Sequence, residues 1–167
     1  MKISKTIFCF AVLCASTIML VGCGGGGGGS RSGLVDAAGT VVYNGELVAD
    51  AVIEMRPVDE TVKNCVAVGR TDAQGAFTLT TDRPNDGAMP GKYKTVVKKQ
   101  VEMIDGMTRE EYIKANDKEG NGEVIFDKDK LKTENMLPAK YSDPISTPLE
   151  IEIPSGGNKK IEIVLED

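Results

Sequence analysis

The chain has 167 residues, a formal net charge of −5, four Phe, four Tyr and no Trp. That is the size of one domain with its appendages, acidic enough to repel a phosphate backbone, with a core that has to rest on Val, Ile, Leu, Ala and Met. No histidine occurs, which removes the commonest general base, the commonest zinc ligand and every Ser–His or Cys–His nucleophile pair.

Residues 1–23 have the three parts of an export signal. Lys2 and Lys5 give a positive start, Ile7 to Val21 an apolar run of 15 residues, and Leu20-Val21-Gly22-Cys23 the exit. The run is too short and wrongly flanked for a comfortable membrane span. The exit resembles the lipobox of bacterial lipoproteins, in which the Cys becomes the first residue after diacylglyceryl transfer and cleavage. The resemblance implies that residues 1–22 are a signal peptide and that an acylated Cys23 ties the chain to membrane lipid. An ordinary secretory signal with an incidental Cys is the rival reading. One acyl chain holds a protein marginally, whereas two or more hold it stably. Gly24 stands where an Asp tends to retain such proteins in the inner membrane, so the expected location is the outer membrane, facing the periplasm or the surface. Gly24–Gly29 and residues 30–33 then read as a tether of about 17 Å as a coil and at most roughly 35 Å drawn out. Cys9 and Cys14 fall in the discarded leader, which leaves Cys65 as the lone mature thiol. It reads either as a small hydrophobe within a strand or as a reactive or interchain thiol.

From Leu34 onward strand signals dominate. Residues 39–43 lead into Asn44-Gly45, a two-residue hairpin turn in which both positions tolerate positive φ. A return strand is expected from Leu47 to Arg56, with Ala51, Ile53 and Met55 on one face, ended by Pro57. Residues 65–71 form a third strand, Asp72-Ala73-Gln74-Gly75 a turn, and residues 76–80 a fourth strand with Phe77 and Leu79 inward. In residues 92–99, Tyr93, Thr95 and Val97 share a face. Lys92, Lys94, Lys98 and Lys99 make a lysine stripe, read as a solvated or edge face that discourages strand addition, or as a surface for anionic headgroups or glycans. At the far end residues 149–153 and 160–165 alternate cleanly around the loop 154–158, as a closing hairpin. Seven or so short strands with frequent turns read as an all-β sandwich.

Residues 101–143 break this rhythm. Thr108 with Glu111 has capping-box spacing, which predicts a short helix over 108–115. Residues 117–122 are a polar loop, Val124-Ile125-Phe126 a small edge strand, and residues 137–144 a rigid connector. Long excursions of this kind are disproportionately functional, so this insertion is the expected working surface.

Val41-Val42-Tyr43-Asn44-Gly45, Ala51-Val52-Ile53, Thr71 to Phe77 and Pro90-Gly91-Lys92-Tyr93-Lys94 together resemble the carboxypeptidase regulatory-like domain. That family belongs to the transthyretin-like (prealbumin-like, Ig-like) β-sandwiches found in many bacterial lipoproteins. The likeness covers nearly all of the chain past Gly39 except the insertion. It implies a seven-stranded sandwich over residues 34–167 with a helix-containing insertion, and a module that is itself non-catalytic. The histidines on which transthyretin-like hydrolases rely are absent, so that activity does not carry over.

Asp117-Lys118-Glu119-Gly120-Asn121-Gly122 mimics the start of an EF-hand loop, but its twelfth position is Lys128 where a bidentate carboxylate is required. The loop therefore reads as solvated, with no metal. Tyr93 and Tyr141 read as packing anchors. No catalytic or cofactor-binding residue and no cofactor is expected. The functional expectation is a membrane-anchored envelope lipoprotein that binds or scaffolds an envelope protein or glycan. The alternatives are a carboxylate enzyme built on Asp117, Glu119 and Glu123, and a pure spacer.

Overall fold

Strands whose alternate side chains are apolar have one face to hide, and two sheets hide each other's. The structure, a computed structural model, describes residues 31–122 and 124–167; Cys23, the leader, the glycine run and Glu123 lie outside them. The described residues form β1 (Ala37–Tyr43), β2 (Glu46–Leu47), β3 (Val52–Pro57), β4 (Ala67–Arg70), β5 (Ala76–Thr78) and β6 (Gly91–Lys98). Then follow β7 (Gln100–Ile104), β8 (Met107–Thr108), α1 (Arg109–Asn116), β9 (Leu131–Asn135), β10 (Glu150–Ile153) and β11 (Asn158–Leu165). One four-stranded sheet has the order β11-β1-β2, with β5 also paired to β1; a second has the order β10-β6-β3-β4. One buried cluster joins them. It draws Ala37, Val41, Phe77, Ile161, Ile163 and Leu165 from the first sheet and Ile53, Met55, Ala67, Tyr93, Val97 and Ile153 from the second. The protein is mainly β, and its two larger sheets form a sandwich.

The β1–β2 turn forms as read, with φ of 49° at Asn44 and 84° at Gly45. The strand expected beyond it is two strands. After β2 the chain turns at Asp50 (φ 59°) and crosses to the other sheet as β3. Buried Thr71 holds that corner: its Oγ1 accepts the Ala51 N–H at 2.7 Å, and its own N–H donates to the Ala51 carbonyl at 2.9 Å. Asp72 closes the next turn by accepting from the N–H groups of Gln74 and Ala76 at 2.8 and 3.0 Å. Beyond it, paired bonds between Val68 and Thr80, both 2.8 Å, stitch the two sheets along that side.

Three further expectations change. Residues 149–165 are not a hairpin: β10 pairs with β6, whereas β11 crosses to the first sheet and pairs with β1 in parallel. The lysine stripe is not an edge, because β6 lies between β10 and β3. Lys94 meets Glu150 of β10 at 2.8 Å, and Lys92 stands opposite Glu152. Val124–Phe126 is no strand, and Ile125 is fully exposed. The strand lies later, at β9, and completes a third sheet of order β8-β7-β9. The described residues thus hold eleven strands in three sheets where seven in two were expected.

The registers define two poles. Val35 bridges Ala88, Asn158 donates to the Asp36 carbonyl, and Gly91 pairs with Ile153, all at one end. Arg31 is fixed there as well, through its N–H to Asp82 at 2.8 Å and its guanidinium to the Asn64 carbonyl at 3.1 Å. The chain is therefore held to the body three residues earlier than the tether reading assumed. The Asn44-Gly45 turn, the Thr71 corner and Lys98 mark the other pole, one eight-residue strand or about 25 Å away.

Thr95 Oγ1 is buried without a hydrogen-bond partner, although the residue's backbone groups are taken by Thr147 and Leu149. An unpaired buried hydroxyl costs about 1–3 kcal/mol. Thr95→Val keeps the shape and is expected to raise stability by about 1 kcal/mol, read as a higher urea midpoint at unchanged slope.

Candidate functional site

The excursion is a built element. After the single residue Lys99, β6 continues as β7, which pairs with β8 on one side and β9 on the other. The neck is narrow. Met136 donates its N–H to the Lys99 carbonyl at 2.8 Å, and the Asn135 side chain accepts the Lys99 N–H at 2.9 Å. The Asn135 amide then donates to the Leu137 carbonyl at 3.0 Å. A side chain thus supplies a ladder bond where the arm meets the sandwich. Leu137 and Tyr141, just past the neck, belong to the sandwich core, so the insertion ends at Asn135 and not near 143.

The helix forms for the reason its sequence suggests. Thr108 caps α1 by accepting from Glu111 N–H at 3.2 Å, and the Glu111 carboxylate accepts the Thr108 N–H at 2.9 Å. The Thr108 N–H bond first, and then the Thr108 hydroxyl donating to the same carboxylate at 2.9 Å, hold the Glu111 carboxyl below its usual range. No residue of α1 is fully buried; Tyr112 and Ile113 are half-buried and the other six are exposed, so the helix stands largely on its cap and side-chain pairs. Ile104 is the one fully buried residue among the described residues of the arm. Residues 100–135 carry ten carboxylates against six cations. Arg109 binds Glu102 at 3.2 Å and lies over the Phe126 ring at 5.3 Å, while Lys130 binds Asp105 at 3.1 Å.

Of the carboxylates singled out in the sequence, Asp117 is committed to its own loop. Asp117 accepts the N–H groups of Gly120, Asn121 and Gly122 at 2.7, 3.3 and 2.8 Å. The Gly122 bond above all keeps its carboxyl ionised below the ordinary range. Both of its oxygens are spent closing the loop. Glu119 is exposed beside it, with the Asn121 amide at 3.4 Å, and Glu123 lies outside the described residues. Among the described residues no three His, Cys, Asp or Glu side chains stand where they could hold a metal ion. None of their helices is long and apolar enough to cross a membrane.

Tyr93 and Tyr141 pack as anchors. Tyr93 donates to the Met89 carbonyl at 2.6 Å, and Tyr141 exchanges bonds with both backbone groups of Glu166 at 3.0 and 3.1 Å. Cys65 is buried as a free thiol.

Comparison with protein-family models, curated proteins and solved structures finds no match. The site therefore rests on its own geometry. What residue patterns could not reveal is the groove at the root of the arm, about 370 Å³, where Asp50 and Arg70 from the sandwich face Lys99, Glu102, Arg109 and Glu110. Those groups come together from positions up to sixty residues apart in the chain, and no local signal joins them.

Desolvation, followed by the nearby Cys65, pushes the Tyr93 phenol up to about 12, from an ordinary value of 10.0. A raised folded value means that the contribution is whole below pH 10 and is lost as pH climbs toward 12, about 3 kcal/mol in all. Alkaline unfolding curves should show that loss, and Tyr93→Phe should reduce it. At the acid end Asp59, Asp117, Asp143 and Asp167 all have carboxyls held below 3.8 by hydrogen bonds. Their contribution is present above that value and withdrawn as pH falls through the folded values, so acid should destabilise the fold.

Proposed function

We propose that this chain is a lipid-anchored cell-envelope lipoprotein whose sandwich, of the transthyretin-like, carboxypeptidase regulatory-like kind, presents the arm to an envelope protein or glycan. The observation that carries the reading is the polarity of the fold. Arg31, where the chain coming from Cys23 joins the body, sits at one pole, and the arm leaves from the other. A chain acylated at Cys23 would stand with its tether toward the bilayer and the arm away from it. A three-stranded sheet with a capped helix is more structure than a spacer requires, which favours binding over pure separation of two surfaces. The carboxylate-enzyme alternative is the less favoured reading, because both oxygens of Asp117 accept bonds from its own loop.

Outer-membrane placement and acylation stand on the Leu20–Cys23 motif and Gly24. Metabolic labelling with radioactive palmitate, together with mass spectrometry of the mature N-terminus, tests the anchor. The expected result is a labelled protein beginning at Cys23, with Cys23→Ser unlabelled and released without detergent. A native protein that washes off unmodified would end the proposal. Its binding half is tested by recovering envelope components on the intact chain and on one without the arm.

A further inference from the structure

The groove at the arm's root differs from the hollow lined by Asp105, Asp129, Lys130, Lys132 and Glu134 in drawing its charges from both the sandwich and the arm. We propose that it binds a small zwitterion, an amino acid or short peptide bearing both a free ammonium and a free carboxylate. Three cations and three carboxylates line one space of about 370 Å³, at the small end of the range for small-molecule sites. They come from two bodies: Asp50 and Arg70 from the corner of the sandwich, Lys99, Glu102, Arg109 and Glu110 from the neck, β7 and α1. A ligand with one sign of charge would meet as many repelling groups as attracting ones. A ligand with both ends charged can satisfy each sign at once.

The individual groups suit the two ends. Arginine forks match a carboxylate in two parallel bonds, and carboxylates accept from an ammonium. Arg109 is the better positioned fork, held by Glu102 at 3.2 Å and by the face of Phe126. On the facing wall Arg70 and Asp50 meet at 3.2 Å but remain 66% and 72% exposed. Exposed pairs of this sort contribute little and exchange partners readily. Lys99 and Glu110 line the groove outside both pairs and supply one further charge of each sign. The inference goes beyond the role proposed for the arm and depends neither on the lipid anchor nor on a macromolecular partner.

Equilibrium dialysis of radiolabelled alanyl-alanine against the detergent-solubilised full chain tests it, run beside N-acetyl-alanyl-alanine and alanyl-alaninamide. Saturable one-site binding of the free dipeptide is expected, about tenfold weaker for each blocked form. Lys99→Met and Glu110→Gln should each weaken it by about fivefold, with circular dichroism unchanged. Lys132→Met, in a different hollow of the arm, should leave it alone. Absence of saturable binding to the folded protein, equal binding of the blocked peptides, or indifference to both variants would overturn the proposal.

Discussion

Gly39→Val is expected to prevent the two sheets from assembling, the largest loss of stability of any single substitution considered. Gly39 sits in β1 opposite Ile161 of β11, in the parallel pair that joins the two ends of the described chain. A Cβ at this position would overlap the Ile161 carbonyl oxygen and come within 2.7 Å of the Ile161 Cβ. Overpacking against side chains costs about 1–3 kcal/mol because they can move aside. Here the obstacle is the backbone of a strand held in register from Gly39 to Tyr43. The cost should therefore exceed that range and consume much of the 5–15 kcal/mol that holds a typical domain. Urea unfolding of the purified variant measures it. Gly45→Ala is the control: φ there is +84°, yet nothing lies within 4 Å of the added carbon, so a loss of only about 1 kcal/mol is expected. Equal losses at the two positions would show that the close approach of β1 to β11 is not what Gly39 provides.

Replacing residues 101–134 with an Asn-Gly turn should abolish partner recovery while leaving the sandwich folded. Gln100 and Asn135 are paired neighbours in the β7–β9 ladder, so a two-residue turn can join them. None of the residues removed belongs to the buried cluster shared by the two large sheets. The arm's own buried residue, Ile104, leaves with it. Closing a long loop down to two residues also lowers the entropy cost of folding. The expected change in stability is within about 1–2 kcal/mol, against complete loss of binding to whatever the arm recognises. Undiminished recovery of envelope partners would remove the arm from the binding role. Collapse of the sandwich would instead make it a structural element.

Local chemistry was plain in the sequence wherever a few adjacent residues settle the matter. Asn44-Gly45 dictates its turn because both positions need positive φ, and Asp72 with Gly75, at φ 70°, sets the turn between β4 and β5. The Thr108–Glu111 capping box marks the start of α1 because the bonds it makes span one helical turn. Alternation identified Phe77, Leu79, Tyr93 and Val97 as inward-facing, and all four are buried. The candidate site was legible only as a place. Residues 101–143 stood out by length, but β9 did not, since Leu131-Lys132-Thr133-Glu134-Asn135 has four exposed side chains and no apolar alternation to announce it.

By itself, then, the sequence determined most of the sandwich's extended segments and turns, where α1 starts, and that histidine chemistry is excluded. Only the tertiary structure decided how those segments pair. Period two says that a strand has a buried face, yet it carries no information about which neighbour lies along its edge. That is why residues 149–165 alternate as a hairpin would but divide between two sheets, and why a lysine-rich strand that suggested an edge occupies the middle of one. The same reason holds for the groove at the arm's root. Its charges are set by Asp50, Arg70, Lys99, Glu102, Arg109 and Glu110, and what brings them together is strand pairing across the whole chain, which costs and repays free energy only once the fold is complete.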